Sequence, residues 1–337
     1  MNISNLSVTH SGLAALLEKT IPAHYPVLIK GAPGIGKTET VLQVAKKLEA
    51  DLFISHPAVE DVLNYKGLPA LVNDHATFLP FGDLERLIVA DKLTVCFIDD
   101  LGQAAPAVQA AAMQLILGRR VSDHKISDHV VFVAATNRKQ DKAGVNGILE
   151  PVKSRHHTIV ELTVDNQEWL TWAVENNLSS VMISFIRWRP HMLFDFKPTQ
   201  DITNSPCPRT IKNAADLYTL GLPKEIEYQV YAGAAGEGFA AEFCGFLDIY
   251  RDLPSLTMIQ MNPETQEVPS NPAVLYALSG ALSEFIDNQN VDRMMLYTNR
   301  MPPEFQVLII NDLIKKDPKI ADTKAFVDWS IKNQHFF

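Results

Sequence analysis

The sequence lacks any apolar run of about 18 residues, so no membrane-spanning helix is expected. Cysteine is scarce: Cys96, Cys207 and Cys244 are odd in number and far apart. That excludes a disulfide framework and a cysteine zinc site, and a reducing, cytoplasmic setting is the simplest expectation. The opening Met1-Asn2-Ile3-Ser4-Asn5 has no basic stretch followed by an apolar one, as a secretory signal would. Positive charge is not in excess. Lys and Arg total 30 against 39 Asp and Glu, a net charge of −9. A surface built mainly to hold nucleic acid is therefore disfavoured, although a local basic loop is not. No internal repeat or low-complexity tract interrupts the chain. What is present is 47% hydrophobic residues over 337 positions, ample for a packed core and about two domains.

The first half alternates strand and helix patterns. Short apolar runs at Tyr25–Lys30, Leu52–Ser55, Leu93–Ile98, His129–Ala135 and Thr158–Leu162 read as buried strands. Helical spacing falls between them at Thr38–Leu48 and Ala105–Leu117. Strands separated by helices imply a five-stranded parallel sheet covered on both faces, an α/β core over residues 1–165. Beyond about residue 165 only helices are expected: Asn166–Glu175, Val181–Trp188, Pro208–Leu217, Glu225–Val230, Ala240–Leu253, Ala273–Asp287 and Pro303–Lys315. The small-residue stretch Ala232–Gly238 suggests a tight turn or close helix contact, and Pro263–Pro272 a loop. Linker and lid helices are expected over 166–240 and a helical extension over 241–337.

The strongest motif closes the first strand. Gly31-Ala32-Pro33-Gly34-Ile35-Gly36-Lys37-Thr38 fits G-x-x-x-x-G-K-[ST] and opens a helix. Its glycines let backbone N–H groups cradle phosphates at a helix N-terminus. Lys37 would reach the β- and γ-phosphates of ATP, or the β-phosphate of ADP, and Thr38 would ligate Mg²⁺. The strand Val95–Ile98 ends in two acids. Asp99 would hold the metal, directly or through water, and Asp100 would polarise the attacking water. The strand ending at Ala135 runs into Thr136-Asn137-Arg138. An Asn there faces the crevice where such sheets bind ligands and could bond the γ-phosphate or the water.

These blocks, in this order, resemble an AAA+ ATPase, and in detail the MoxR-type branch of bacteria and their phages. The residues carrying that likeness are Tyr65-Lys66-Gly67-Leu68-Pro69, Pro106-Ala107-Val108-Gln109-Ala110-Ala111 and Ala135-Thr136-Asn137-Arg138, followed by Glu168-Trp169-Leu170-Thr171-Trp172-Ala173, Arg187-Trp188-Arg189-Pro190 and Pro206-Cys207-Pro208-Arg209-Thr210. It covers residues 10 to about 290. The resemblance implies a sensor-1 role for Asn137, an arginine finger at Arg155 and a sensor-2 role for Arg209. A finger acting on a neighbour's site makes a ring, usually a hexamer, part of the catalytic apparatus. By residue type alone, Arg155 could be a surface charge and Arg138 the finger. One position departs from the family: the second acid is usually Glu, and here it is Asp100, shorter by a methylene, so turnover is expected to be slow unless the loop compensates.

Function then reads as a Mg·ATP-dependent machine that remodels a protein partner, which in the related branch is often a von Willebrand A-domain protein. Two hairpins are placed to make the contact. One carries Gly67–Val72 and Ala76–Leu79 around Asn73-Asp74-His75; the other spans Arg119-Arg120-Val121-Ser122-Asp123-His124-Lys125. In the related branch the first is a helix-2 insertion facing the pore or a partner. A nucleic-acid motor or loader on the same fold is the alternative; its mark would be Lys or Arg in those hairpins, which Arg119, Arg120 and Lys125 allow and Asn73-Asp74-His75 does not help. A third possibility is a slowly hydrolysing ATP-dependent switch. Adjacent His156 and His157 point to opposite faces of a strand and make poor joint metal ligands. Trp169 and Trp172 share one helix face, and with Trp188 are expected to be core residues.

Overall fold

The computed structural model describes residues 7–121, 123–141, 144, 147–199 and 201–333; Met1–Asn5 and Ser122 lie outside them. The chain divides into two compact units, Met1–Asp165 with Lys197–Gln200 and Asn166–Phe196 with Asp201–Phe337.

In the first unit the chain runs β1 (Ser7–Val8), α1 (His10–Thr20), β2 (Val27–Lys30), α2 (Lys37–Lys47), β3 (Asp51–Ser55), α3 (Leu63–Lys66), β4 (Leu68–Val72), β5 (His75–Leu79), α4 (Asp83–Val89), β6 (Thr94–Ile98), α5 (Pro106–Gly118), β7 (Arg120–Val121), β8 (His124–Lys125), β9 (Val130–Thr136), α6 (Glu150–Lys153) and β10 (Thr158–Leu162). Every residue of β6 and β9 is buried, as the unbroken apolar runs require of strands covered on both faces. At roughly 1.5–3 kcal/mol per large side chain removed from water, Val95, Phe97, Ile98, Val131, Phe132 and Val133 anchor this layer. Helices α3, α4 and α5 close one face through Tyr65, Leu84, Leu87, Val108, Ala112 and Leu115.

The sheet is parallel, in the order β1-β10-β2-β9-β6-β3. It has six strands, where the sequence suggests five. The extra one is β1, two residues paired with β10 through Ser7↔Glu161 and Val8↔Leu162, too short to leave a periodic signal. From β2 the chain crosses one way along the sheet to β3; from β9 it crosses the other way, over β2, to β10. The switch point therefore lies between the carboxyl ends of β2 and β9, where open α/β sheets bind ligands.

Both expected hairpins form. In β4–β5 the turn is only Asn73-Asp74, and both residues are left-handed (φ 50° and 60°), the two-residue turn whose twist matches a hairpin. His75 belongs to the strand, opposite Val72.

The second unit is helical: α7 (Asn166–Glu175), α8 (Ser180–Trp188), α9 (Pro208–Thr219), α10 (Lys224–Ala235), α11 (Glu237–Arg251), α12 (Leu256–Met261), α13 (Pro272–Phe285), α14 (Val291–Thr298), α15 (Pro303–Lys316) and α16 (Lys324–Lys332). The small-residue stretch is helix up to Ala235 and breaks at Gly236 alone, whose φ of 94° suits glycine. The 240/241 boundary drawn from sequence falls inside α11, because helix resumes at Glu237. An aromatic nucleus of Phe185, Phe239, Phe243 and Phe246 fills the α8–α11 contact, with Trp188 stacked on Phe246 at 5.6 Å. Of the three tryptophans expected in the core, Trp169 is buried, while Trp172 and Trp188 are half-buried.

Candidate functional site

Three neighbouring strands end in the residues that matter. The loop after β2 turns through Gly34 (φ 72°) and Gly36 (φ 96°), conformations open to glycine and strained for other residues. Gly31 is tight for a different reason: a side chain there would meet Ile35 Cδ1 at 2.7 Å and the Leu162 carbonyl at 3.0 Å. Helix α2 follows at once, so the loop backbone with Ala32, Pro33 and Ile35 wraps a helix N-terminus, where partial positive charge collects.

Lys37 is buried, and its ammonium donates to Gly31 O (3.1 Å), Ala32 O (2.9 Å) and Asn137 Oδ1 (2.7 Å). Asn137, just past β9, donates from Nδ2 to Asp100 Oδ1 at 2.9 Å. The Asp100 N–H donates to Asp99 Oδ1 at 2.9 Å, and Thr38 Oγ1 donates to Asp99 Oδ2 at 2.7 Å. Because Thr38 follows Lys37 in the chain, these bonds close a ring: Lys37, Asn137, Asp100, Asp99, Thr38. The ends of β2, β9 and β6 are thereby tied at the switch point. Asp99 is held in place by its own N–H, which donates to Ser55 O at the end of β3. Thr38 and Asp99 put a hydroxyl and a carboxylate side by side, hard oxygen donors of the kind Mg²⁺ takes alongside phosphate oxygens. No group of three or more His, Cys, Asp or Glu side chains placed to hold a metal occurs among the described residues.

Asp100 adopts a left-handed backbone (φ 54°), a region where Asp and Asn are enriched and longer side chains are not. The shorter acid at this position thus has a backbone reason.

Five sequence-derived site residues, Lys37, Thr38, Asp99, Asp100 and Asn137, therefore share one network. Arg155 and Arg209 are not members of it. Arg155 follows α6, half-buried; its Nε is shielded from solvent and has no hydrogen-bond partner among the described residues. Arg209 is exposed in the first turn of α9 in the second unit, where Cys207 and Thr210 form a capping box. Arg138 is immobilised: its guanidinium donates twice to Asp141 (2.9 and 2.8 Å) and once to Glu161 (3.3 Å). Those bonds hold the Arg138 guanidinium even more firmly in its charged form, and Lys30 lowers the Glu161 carboxyl below its usual range. Asp141, three residues along the loop, is the partner a charge-pattern search from Arg138 would have found.

His156 is buried, with Nδ1 at 3.0 Å from Val152 O, and burial pushes its imidazole below the usual value. His157 instead stacks on Tyr25 at 4.3 Å. The two histidines do not converge. His10 was not singled out by sequence: its Nε2 lies 2.6 Å from the carbonyl of Ile35, in the middle of the phosphate loop.

Residues 27–162 match the family model of the ATPase family associated with various cellular activities (AAA). No curated protein sequence matches the chain. Among solved structures, a point mutant of Thermotoga maritima RuvB is similar at 16% identity and a TM-score of 0.42, covering 80% of each chain. The Thermotoga maritima RuvB Holliday junction branch migration motor is similar at 15% and 0.37, over 90% of this chain and 78% of that one. NtrX from Brucella abortus is similar at 10% and 0.42, over 90% and 67%. At these values the likenesses carry no functional information. The fold is the AAA+ α/β arrangement with a helical C-terminal region.

Proposed function

We propose that this chain is a ring-forming, Mg²⁺-dependent ATPase of the MoxR type that couples hydrolysis of ATP to ADP to the remodelling of a protein partner in the cytoplasm. The observation that carries the nucleotide part is the closed hydrogen-bond ring joining Lys37, Asn137, Asp100, Asp99 and Thr38 at the switch point. Within it, the ammonium of Lys37 is aimed back over its own loop, where a triphosphate's outer groups would lie. Asp100 and Asn137 share a hydrogen bond at a position suited to hold and orient a water for in-line attack. Thr38 and Asp99 would hold Mg²⁺, which when bound supplies charge neutralisation at the β- and γ-phosphates.

Arg155 is the candidate to complete a neighbour's site: among the described residues its Nε has no partner, whereas the guanidinium of Arg138 is filled by Asp141 and Glu161. Arg209 is the candidate to sense phosphate from the helical unit, and a hexamer is the ring the resemblance suggests. The β4–β5 hairpin supports a protein partner: Leu68, Leu71, Val72, Phe78 and Leu79 are all exposed on it. A von Willebrand A-domain protein is our candidate client. The second hairpin does not favour nucleic acid. Arg119 donates to the carbonyls of Ser127 and Val130, Arg120 donates to Asp123 O, and Lys125 pairs with Asp128.

Binding of a fluorescent ATP analogue and steady-state phosphate release, with Lys37→Ala beside the wild type, test the proposal. Wild-type binding that Lys37→Ala abolishes, together with release of phosphate, is expected. Equal binding by both proteins would overturn it.

A further inference from the structure

We infer that His10 is a positioning residue of the phosphate loop, setting the peptide between Ile35 and Gly36 so that its N–H faces the phosphates; this rests on the nucleotide-binding proposal above. A carbonyl oxygen can only accept, so the 2.6 Å contact requires that Nε2 of His10 carry the proton and donate to Ile35 O. The C=O of Ile35 and the N–H of Gly36 belong to one trans peptide and point in opposite directions. Drawing that carbonyl outward to His10 turns the N–H of Gly36 away from His10.

Such a peptide needs holding. Gly36 sits at φ 96° and has no side chain to resist rotation, and a Cβ there would lie 3.1 Å from His10 Nε2. The carbonyls of Gly31 and Ala32 are held by Lys37; the carbonyl of Ile35 is held by His10. The loop is thus gripped from both ends.

The edge of the sheet fixes His10 itself. Strand β1 pairs with β10, and the N–H of Thr163 donates to Val8 O at 3.0 Å. Thr9 then caps α1 by accepting from the Gly12 N–H, and Leu13 and Leu17 bury the helix. A two-residue strand and a capped helix therefore deliver one imidazole to one carbonyl.

The test measures affinity of the full-length protein for a fluorescent ATP analogue, and for tripolyphosphate by competition, in wild type, His10→Phe, His10→Gln and Lys37→Ala. His10→Phe keeps a ring without the donor and is expected to weaken both ligands alike, by about tenfold, as loss of one such bond implies. His10→Gln carries an amide N–H the same number of bonds from the backbone and should return to within about threefold of wild type. Thermal unfolding is followed for each, and His10→Ala stands in should His10→Phe not fold. Loss for the ATP analogue but not for tripolyphosphate would place His10 on the base and overturn the inference. Unchanged affinity in His10→Phe, with Lys37→Ala abolishing binding, would overturn it also. Equal binding by Lys37→Ala and wild type would instead overturn the phosphate-loop proposal, and this inference with it.

Discussion

The loop after β9 and the turn before β10 each carry an arginine, and the two have opposite fates. Arg138 spends its donors on Asp141 and Glu161 and is fixed within its own chain. Arg155 keeps a shielded Nε with no partner among the described residues. The difference shows how one fold separates structure from action. An arginine whose fork is filled by carboxylates stiffens a loop, while one left unfilled retains its capacity for an outside anion.

Substitutions can break or sharpen that contrast. Arg155→Ala is expected to lower ATP turnover by about 10³-fold while leaving nucleotide affinity unchanged, the signature of an arginine acting on the transition state. Phosphate release and analogue binding measured together check it. Asp100→Asn keeps the small side chain suited to the left-handed backbone and the bond from Asn137, but removes the negative charge; turnover should fall by about 10² with binding retained. Arg138→Ala should do the reverse. Turnover per folded molecule should stay within a few-fold, while stability to denaturant drops by about 3 kcal/mol, because Asp141 is left buried without its counter-charge.

Smallest is an acid effect at His156. The fold keeps His156 neutral, whereas the unfolded chain takes up a proton as pH falls below about 6.5. Stability should therefore decline below that pH, down to the lowered folded-state value, and be unaffected above it. His156→Gln should flatten the decline in denaturation midpoints measured between pH 7.5 and 5.5.

Much of this was legible in the sequence. The phosphate loop announced itself because its glycines and Lys37 are fixed in spacing by what a tight strand-to-helix turn can do. The apolar runs at Leu93–Ile98 and His129–Ala135 could hardly be other than buried strands, and they become β6 and β9. Asn73 and Asp74 marked a hairpin through residues tolerant of positive φ, though not that the turn was limited to those two. Other features left no local mark. β1 is too short for any periodicity, and the helices α12, α14 and α16 are short and of mixed character. His10 lies 25 residues before its partner carbonyl, and only the pairing of β1 with β10 and the cap at Thr9 bring them together. The hydrogen bonds among Asn137, Asp100 and Asp99 depend on strand order, which the order of residues along the chain does not state.

The most direct test of the account mixes two inactive proteins. Arg155→Ala keeps an intact phosphate loop, and Lys37→Ala keeps an intact Arg155. If Arg155 completes the site of an adjacent subunit, mixed assemblies contain interfaces with both parts whole, and ATP turnover should reappear that neither protein shows alone. Turnover of Arg155→Ala equal to that of the wild type, or a mixture as silent as its components in assemblies shown to exchange subunits, would contradict it.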